Sequence, residues 1–344
     1  MGLHDLSVDR IGIATQPWYQ AGMRLAHCSD LHLLSLDGVR KLQFANKRWI
    51  GALNLLTDRG RHYHTEAFED MVADLATVGV DHVLCTGDVT NLAFEQEFRF
   101  AKAIFDRLPL GPDSVTVLPG NHDAYVAEGV DLFAQVFADH ASADADWRWP
   151  EPGAAGADTA EPASAPIPDP DRTRWPLVRV RGPLALIGLT TSRQSPWFTA
   201  YGRVGATQLD RLRRVLGDPR LADKVRVVAI HHPPAGKASR SSIRGLKDHD
   251  AFAKVIAEAG AELVLHGHEH RDLRALLPTP KGELEVLGVP SGTYEANRPD
   301  RTARYRIIEI ADGRIVGQHL RVWHRSRRVF ERDADPPALR AASA

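Results

Sequence analysis

A chain of 344 residues, 43% hydrophobic and 25% charged, can bury a large core, which excludes a disordered or fibrous protein. Its 43 basic residues against 44 acidic ones leave no electrostatic footprint for nucleic acid or another long polyanion. Two cysteines, Cys28 and Cys85, exclude a disulfide scaffold, and no apolar stretch marks a signal peptide or membrane span, so the chain reads as cytoplasmic.

Residues 1–22 form a mixed lead-in, and Met23 to His27 reads as a strand ending in Cys28-Ser29-Asp30-Leu31-His32. From Leu42 to Leu56 apolar residues recur at spacings of three and four (Leu42, Ala45, Trp49, Leu53, Leu56), with Lys41, Lys47, Arg48 and Asn54 between them. That is the pattern of a basic amphipathic helix. It suits a membrane surface, a cap over an anionic substrate, or a helix packed on the domain. Thr65 is placed to cap a helix striped by Phe68, Met71, Val72 and Leu75. Val83-Leu84-Cys85 reads as a buried strand running into Gly87-Asp88 and on to Asn91. A helix over Phe94 to Leu108 follows, then a strand over Ser114 to Leu118 that ends in Gly120-Asn121-His122-Asp123.

Val130 to Phe137 reads as helix. Residues 141–173, dense in Ala, Pro, Asp, Glu and Gly, read as a loop inserted in one domain, because the alternation of strand and helix resumes after them. Strands are expected over Leu184 to Leu189, Val225 to Ile230 and Leu263 to Leu265, and helices over Thr207 to Leu216 and Asp248 to Ala259. The second of these strands ends in His231-His232-Pro233-Pro234 and the third in His266-Gly267-His268-Glu269-His270. Strands near 284–290, 304–311 and 314–323 close the domain, with Asp312-Gly313 as the turn of the last pair. Residues 331–344 read as a frayed tail.

Five strand ends thus carry metal-capable side chains, in the region where open α/β sheets bind ligands. Asp-x-His and His-x-His put both side chains on one side of an extended segment, so each pair is expected to grip one metal. Any one of these pieces alone is an ordinary turn; five in succession are a site. Carboxylate, imidazole and amide oxygen together suit manganese, iron, zinc or cobalt better than calcium or magnesium, and the absence of Cys ligands argues against a structural zinc.

Asp30-x-His32, Gly87-Asp88-x-x-Asn91, Gly120-Asn121-His122-Asp123, His231-x-Pro233 and Gly267-His268-x-His270 resemble, in order and without a missing member, the five blocks of the calcineurin-like metallophosphoesterase superfamily. The resemblance covers residues 23–270. It implies an α/β fold of four layers, α/β/β/α, with two mixed sheets face to face and helices outside, in a single domain over 1–330. It implies two metal ions, one held by Asp30, His32, Asp88 and His270 and the other by Asp88, Asn121, His231 and His268. It implies His122 as the proton donor to the leaving group, with Asp123 orienting its ring. Asn91 and His232 would support the ligands. The activity implied is hydrolysis of a small phosphodiester, of the cyclic-nucleotide or glycerophosphodiester type, by attack of a metal-bound hydroxide.

Two other functions stand beside it. The insertion at 33–64 is similar in composition to the lid-like additions of pyrophosphohydrolases acting on lipid-linked nucleotide sugars, which would bring a peripheral membrane or lipid contact through 41–64. A superfamily scaffold that only binds a partner is the alternative of another class, and the complete ligand set speaks against it.

Overall fold

The computed structural model describes residues 22–37, 39, 48, 62–149, 174–196, 198–295, 299–334 and 340–341. The amphipathic helix expected over Leu42 to Leu56 lies outside the described residues apart from Arg48, as does most of the insertion at 141–173.

Two mixed sheets face each other. The first has the order β12-β11-β10-β1-β2-β3. Its centre is β1 (Met23–Cys28), parallel to β2 (His82–Cys85), which is parallel to β3 (Val115–Val117). On the other side of β1 run β10 (Arg304–Ala311), β11 (Arg314–His324) and β12 (Val329–Arg332), each antiparallel to its neighbour. The second sheet has the order β13-β8-β9-β7-β6-β5-β4. Its parallel heart is β5 (Leu184–Gly188), β6 (Val225–Ala229), β7 (Leu263–His266) and β9 (Gly282–Gly288). Antiparallel β4 (Leu177–Arg181) and β8 (Leu273–Thr279) flank it, and β13 (Arg340–Ala341) lies along β8.

Period-two alternation builds the layers. In β1, Met23 and Leu25 point between the sheets while Ala26 and Cys28 point to the helices; in β6, Val225, Val227 and Ala229 face inward and Val228 outward. Helices α1 (Thr65–Val78), α2 (Glu95–Phe105) and α3 (Ala127–Val136) bury Phe68, Met71, Phe98 and Phe133 on the outside of the first sheet. Beyond the short α5 (Gly236–Ser239), the outside of the second sheet is covered by α4 (Ala206–Leu216) and α6 (His249–Ala259), through Leu209, Leu212, Phe252 and Ile256. The expected four-layer order α/β/β/α is therefore the observed one. None of the described helices is long and apolar enough to cross a membrane.

Some expectations need correction. The tail read as frayed contributes the end of β12 and all of β13, because both find sheet edges to pair with. The Leu177–Arg181 and Leu273–Thr279 strands were not expected; interleaved arginines and a proline mask their apolar alternation. Thr65 is the first helical residue, and His64 takes the capping position without a side-chain hydrogen bond. The Asp312-Gly313 turn is as expected, with both residues at positive φ between paired Ala311 and Arg314.

One core histidine makes the fold sensitive to acid. His82, fully buried in β2, pairs through Nε2 with Thr116 Oγ1 at 2.9 Å, and burial, aided by Arg179 and Arg181, pushes its pKa down to about 3. In the unfolded chain it titrates near its ordinary value of about 6.5, so below that pH only the unfolded state takes the proton. Stability should fall as pH drops from about 6.5 toward 3, by up to roughly 1.4 kcal/mol per pH unit from this residue. Urea unfolding of wild type and His82→Gln at neutral and mildly acidic pH checks this; the variant should lose less on acidification, and an equal loss would rule His82 out.

Candidate metal centre

The carboxyl ends of β1, β2, β3, β6 and β7 open at one edge of the two-sheet sandwich, and every expected ligand sits just beyond them. The loops after β1 and β2 continue side by side past their strands. Asp30 N–H donates to Gly87 O, His32 N–H to Asp88 O and Leu33 N–H to Val89 O, at 2.9–3.0 Å. From the far side, Ser291 Oγ and Thr293 Oγ1 donate to the Asp30 and Leu31 carbonyls at 2.6 Å.

The backbone here is not extended. Asp30, His32, Asp88, His268 and His270 all have positive φ, between 44° and 73°. Asp and His tolerate this left-handed region better than most residues, though it still costs energy. Same-side alternation therefore fails as the reason these pairs converge. It also fails in its consequence at the last loop, where His268 and His270 part company. His270 Nε2 lies 3.2 Å from Asp30 Oδ1 and 3.1 Å from His32 Nε2. His268 Nδ1 lies 3.3 Å from His231 Nε2, which is 3.1 Å from Asn121 Oδ1.

Two donor groups result, and Asp88 stands between them. Its Oδ2 is 3.8 Å from His32 Nε2 and 3.4 Å from His231 Nε2. Its Oδ1 accepts the His122 backbone N–H at 2.7 Å. Gly120 has to be glycine, since a Cβ there would lie 2.1 Å from Asp88 Oδ1. Asp30 Oδ2 is held by the His268 N–H at 2.9 Å, while Oδ1 is buried, makes no aligned hydrogen bond and faces His270 Nε2 at 3.2 Å.

Electrostatics point the same way. Burial raises the pKa of both aspartates, but the facing imidazoles outweigh it, chiefly His270 at Asp30 and His231 at Asp88, and hold both carboxyls well below the usual range. Burial lowers His231, yet Asp88 and Asp30 push it up to about 9. A proton at His231 Nε2 is thus held by the same field that would hold a metal cation, because Nδ1–H is committed to the Thr86 carbonyl at 2.7 Å. A carboxylate oxygen without an aligned hydrogen bond, ring nitrogens facing one another and an amide oxygen fit transition-metal ions.

The remaining expected residues divide. His232 lies within reach of His231 and His268, but both ring nitrogens are engaged: Nε2–H donates to Ala200 O at 2.9 Å and Nδ1 accepts from Thr191 Oγ1 at 2.7 Å. Both nitrogens therefore tie His232 to neighbouring loops. His122 shares a group with His32 and Asp88, its ring edge-on to His32 with centroids 4.6 Å apart. Its Nδ1–H donates to the Asn91 carbonyl at 2.7 Å. The contact to the His122 ring expected of Asp123 is made instead by the Asn91 carbonyl. The Asp123 carboxylate instead accepts from Gly120 N, Val89 N, Thr90 N and Thr90 Oγ1, tying two loops together. Burial and neighbouring Asp88 raise its pKa to about 7. The Asn91 side chain donates to the His32 carbonyl at 3.4 Å.

Two residues of the 33–64 insertion pack in this region, Tyr63 against the centre and Arg48 against the segment that follows Asn91. Tyr63 Oη is 3.4 Å from His270 Nδ1, and its ring lies 4.9 Å from that of His32. Arg48, expected on the polar face of a helix, is buried. Its Nε donates to Leu92 O at 2.9 Å and Nη2 to Ala93 O at 2.6 Å, Nη1 pairs with Glu128, and the guanidinium lies 4.3 Å over the Phe94 ring. It thereby clamps the segment that follows Asn91.

Fold and site together define a four-layer α/β/β/α domain with a candidate metal centre at one edge of its sheets. The family model of calcineurin-like phosphoesterases matches residues 23–272, and the chain belongs to that family. A "probable cyclic nucleotide phosphodiesterase" of Synechococcus sp. (strain WH7803) is 36% identical over 132 residues, 36% of this chain and 49% of the relative. The chain spans about half the length of that curated relative. Among solved structures, a purple acid phosphatase from yellow lupin (Lupinus luteus) seeds aligns over 91% of this chain and 53% of its own, with a TM-score of 0.52 and 12% identity. A dimetal phosphatase from Danio rerio aligns over 88% and 99%, with a TM-score of 0.51 and 12% identity. These two likenesses are likenesses of fold.

Replacing Arg48 with Met should leave the Leu92 and Ala93 carbonyls buried without a donor and destabilise the protein by about 2–4 kcal/mol. Urea unfolding measures this, and a change under about 0.5 kcal/mol would show that the clamp carries no weight.

Proposed function

We propose that this chain is a metal-dependent phosphodiesterase acting on a small diester of the cyclic-nucleotide or glycerophosphodiester type. The observation that carries the reading is the convergence of seven donors from five loops into two adjoining groups that share Asp88. The named activity of the Synechococcus relative supports the diester over a monoester.

Asp30, His32, Asp88 and His270 would hold one ion, and Asp88, Asn121, His231 and His268 the other. Bound there, ions of the manganese, iron, zinc or cobalt kind supply positive charge to the phosphoryl oxygens and lower the pKa of water toward neutrality. The chain contributes position and a proton. Burial of the donor side chains keeps bulk water from competing with the substrate oxygens. With Nδ1 committed to the Asn91 carbonyl, His122 exchanges its proton through Nε2, and we assign it as the acid that protonates the leaving alkoxide.

Metal analysis and bis(p-nitrophenyl) phosphate hydrolysis test this on three proteins. Wild type should carry about two metals per chain and turn over the diester. Asp88→Asn should lose both properties. His122→Ala should keep its metals and lose kcat by about 10²- to 10⁴-fold on a diester with an alkyl leaving group, and far less on bis(p-nitrophenyl) phosphate, whose phenolate departs without a proton. A metal-loaded wild type that hydrolyses no diester would sink the reading, and full activity of His122→Ala on the alkyl ester would remove its assignment.

A further inference from the structure

Two loops beside the metal centre are zipped into one arch. Ala200 N–H donates to Ile243 O at 2.9 Å, Gly202 N–H to Gly245 O at 3.0 Å and Lys247 N–H to Gly202 O at 2.9 Å. The arch is fastened to the centre at both ends. The Ala200 carbonyl holds His232 Nε2–H, and Gly202 packs so close beneath the His232 ring that a Cβ would lie 2.4 Å from Nδ1. Arg244 Nη2 donates to the carbonyl of His268 at 3.4 Å.

What the arch displays is not used by the fold. Arg244 is exposed, and its other four N–H groups have no protein partner among the described residues. Of the six large hydrophobic side chains exposed among the described residues, two sit on this arch: Phe198 at 77% and Ile243 at 53%. Phe198 is held at a φ of 65°, a conformation that a bulky residue adopts only under constraint. A guanidinium with no acidic partner among the described residues, on a braced arch that also displays an aromatic ring and an aliphatic side chain and touches two site histidines, is a ready receptor for an anion with an apolar substituent.

We propose that this arch is the substrate-recognition element of the phosphodiesterase, an inference that rests on the reading above. Arg244 binds an anionic phosphoryl oxygen from the His268 side. Phe198 and Ile243 carry the ester group that is retained after hydrolysis. The preferred substrates are accordingly diesters whose retained ester is aromatic or otherwise broadly apolar, in preference to small alkyl diesters.

The test compares two diesters with the same leaving group: bis(p-nitrophenyl) phosphate and methyl p-nitrophenyl phosphate. Wild type should favour the aryl ester in kcat/KM by about tenfold or more, the worth of covering one ring with apolar surface. Phe198→Ser/Ile243→Ser should bring the ratio near that of the uncatalysed reactions, with metal content unchanged. Arg244→Gln should raise KM for both esters by about tenfold while leaving kcat nearly constant, and Arg244→Lys should recover part of it. A second readout needs no turnover: inorganic phosphate titrated into the metal-loaded protein should bind about tenfold more weakly to Arg244→Gln. An unchanged ester ratio in the double variant, or unchanged phosphate binding in Arg244→Gln, would overturn the corresponding half of the proposal. A wild type that hydrolyses both esters but shows no dependence on the arch leaves the phosphodiesterase reading standing. A wild type that hydrolyses neither removes that reading and the ester preference with it, and the phosphate titration then decides Arg244 alone.

Discussion

Two buried carboxylates facing one another are the constraint that the rest of this molecule answers. Asp30 and Asp88 present oxygens within 4.8 Å of each other, both shielded from water. At an effective dielectric of about 20 their repulsion is roughly 3 kcal/mol, before the cost of burial. Imidazoles supply the offset in the polypeptide itself, and His231 is pushed up to about 9 as a result. A centre that must gather protons to hold its own charges is a centre built for cations. The same logic explains why backbone N–H groups of His122 and His268 are spent on these two carboxylates.

Holding such a cluster takes backbone strain, and the strain has to be carried by something stiff. Five of the converging residues sit at positive φ. Each such residue costs on the order of 1–3 kcal/mol unless its surroundings fix it. The surroundings here are continuous with the sheets: the ladder between the first two loops extends the β1–β2 pairing, and Ser291 and Thr293 brace it from the segment after β9. Cys28 and Cys85, the last paired residues of those strands, are free and buried in the core between the first sheet and its helices.

Most of this arrangement was legible because it is local. Each motif directly follows a short apolar strand, so residue type and order sufficed to gather Asp30, His32, Asp88, Asn121, His122, His231, His268 and His270 at one edge. What period-two reasoning could not supply was direction. The loops leave the extended region one or two residues past the strands, and only that turn sends His268 and His270 into different groups. Side-chain partners separated by long stretches were also hidden. Asp123 adjoins His122 in the chain and so reads as its support, yet the ring is held by the Asn91 carbonyl 31 residues away, and the Asp123 carboxylate is drawn to Gly120 and to the distant Val89 and Thr90 donors that only the fold brings to it. Arg48 was read as a solvent-facing cation for the same reason: its partners lie 44, 45 and 80 residues away.

The insertion after His32 is consequently bound into the site through Arg48 and Tyr63. Arg48 holds the carbonyls immediately following Asn91, and Asn91 in turn holds the His122 ring, so the register of the insertion is coupled to the placement of the proposed acid. Tyr63 touches His270 from the insertion's other end, where an isolated bridge joins it to Tyr294. The arch, fastened to His232 and His268, bears on the second donor group in the same way, so each donor group is braced by a loop that carries side chains of its own toward the centre's surroundings.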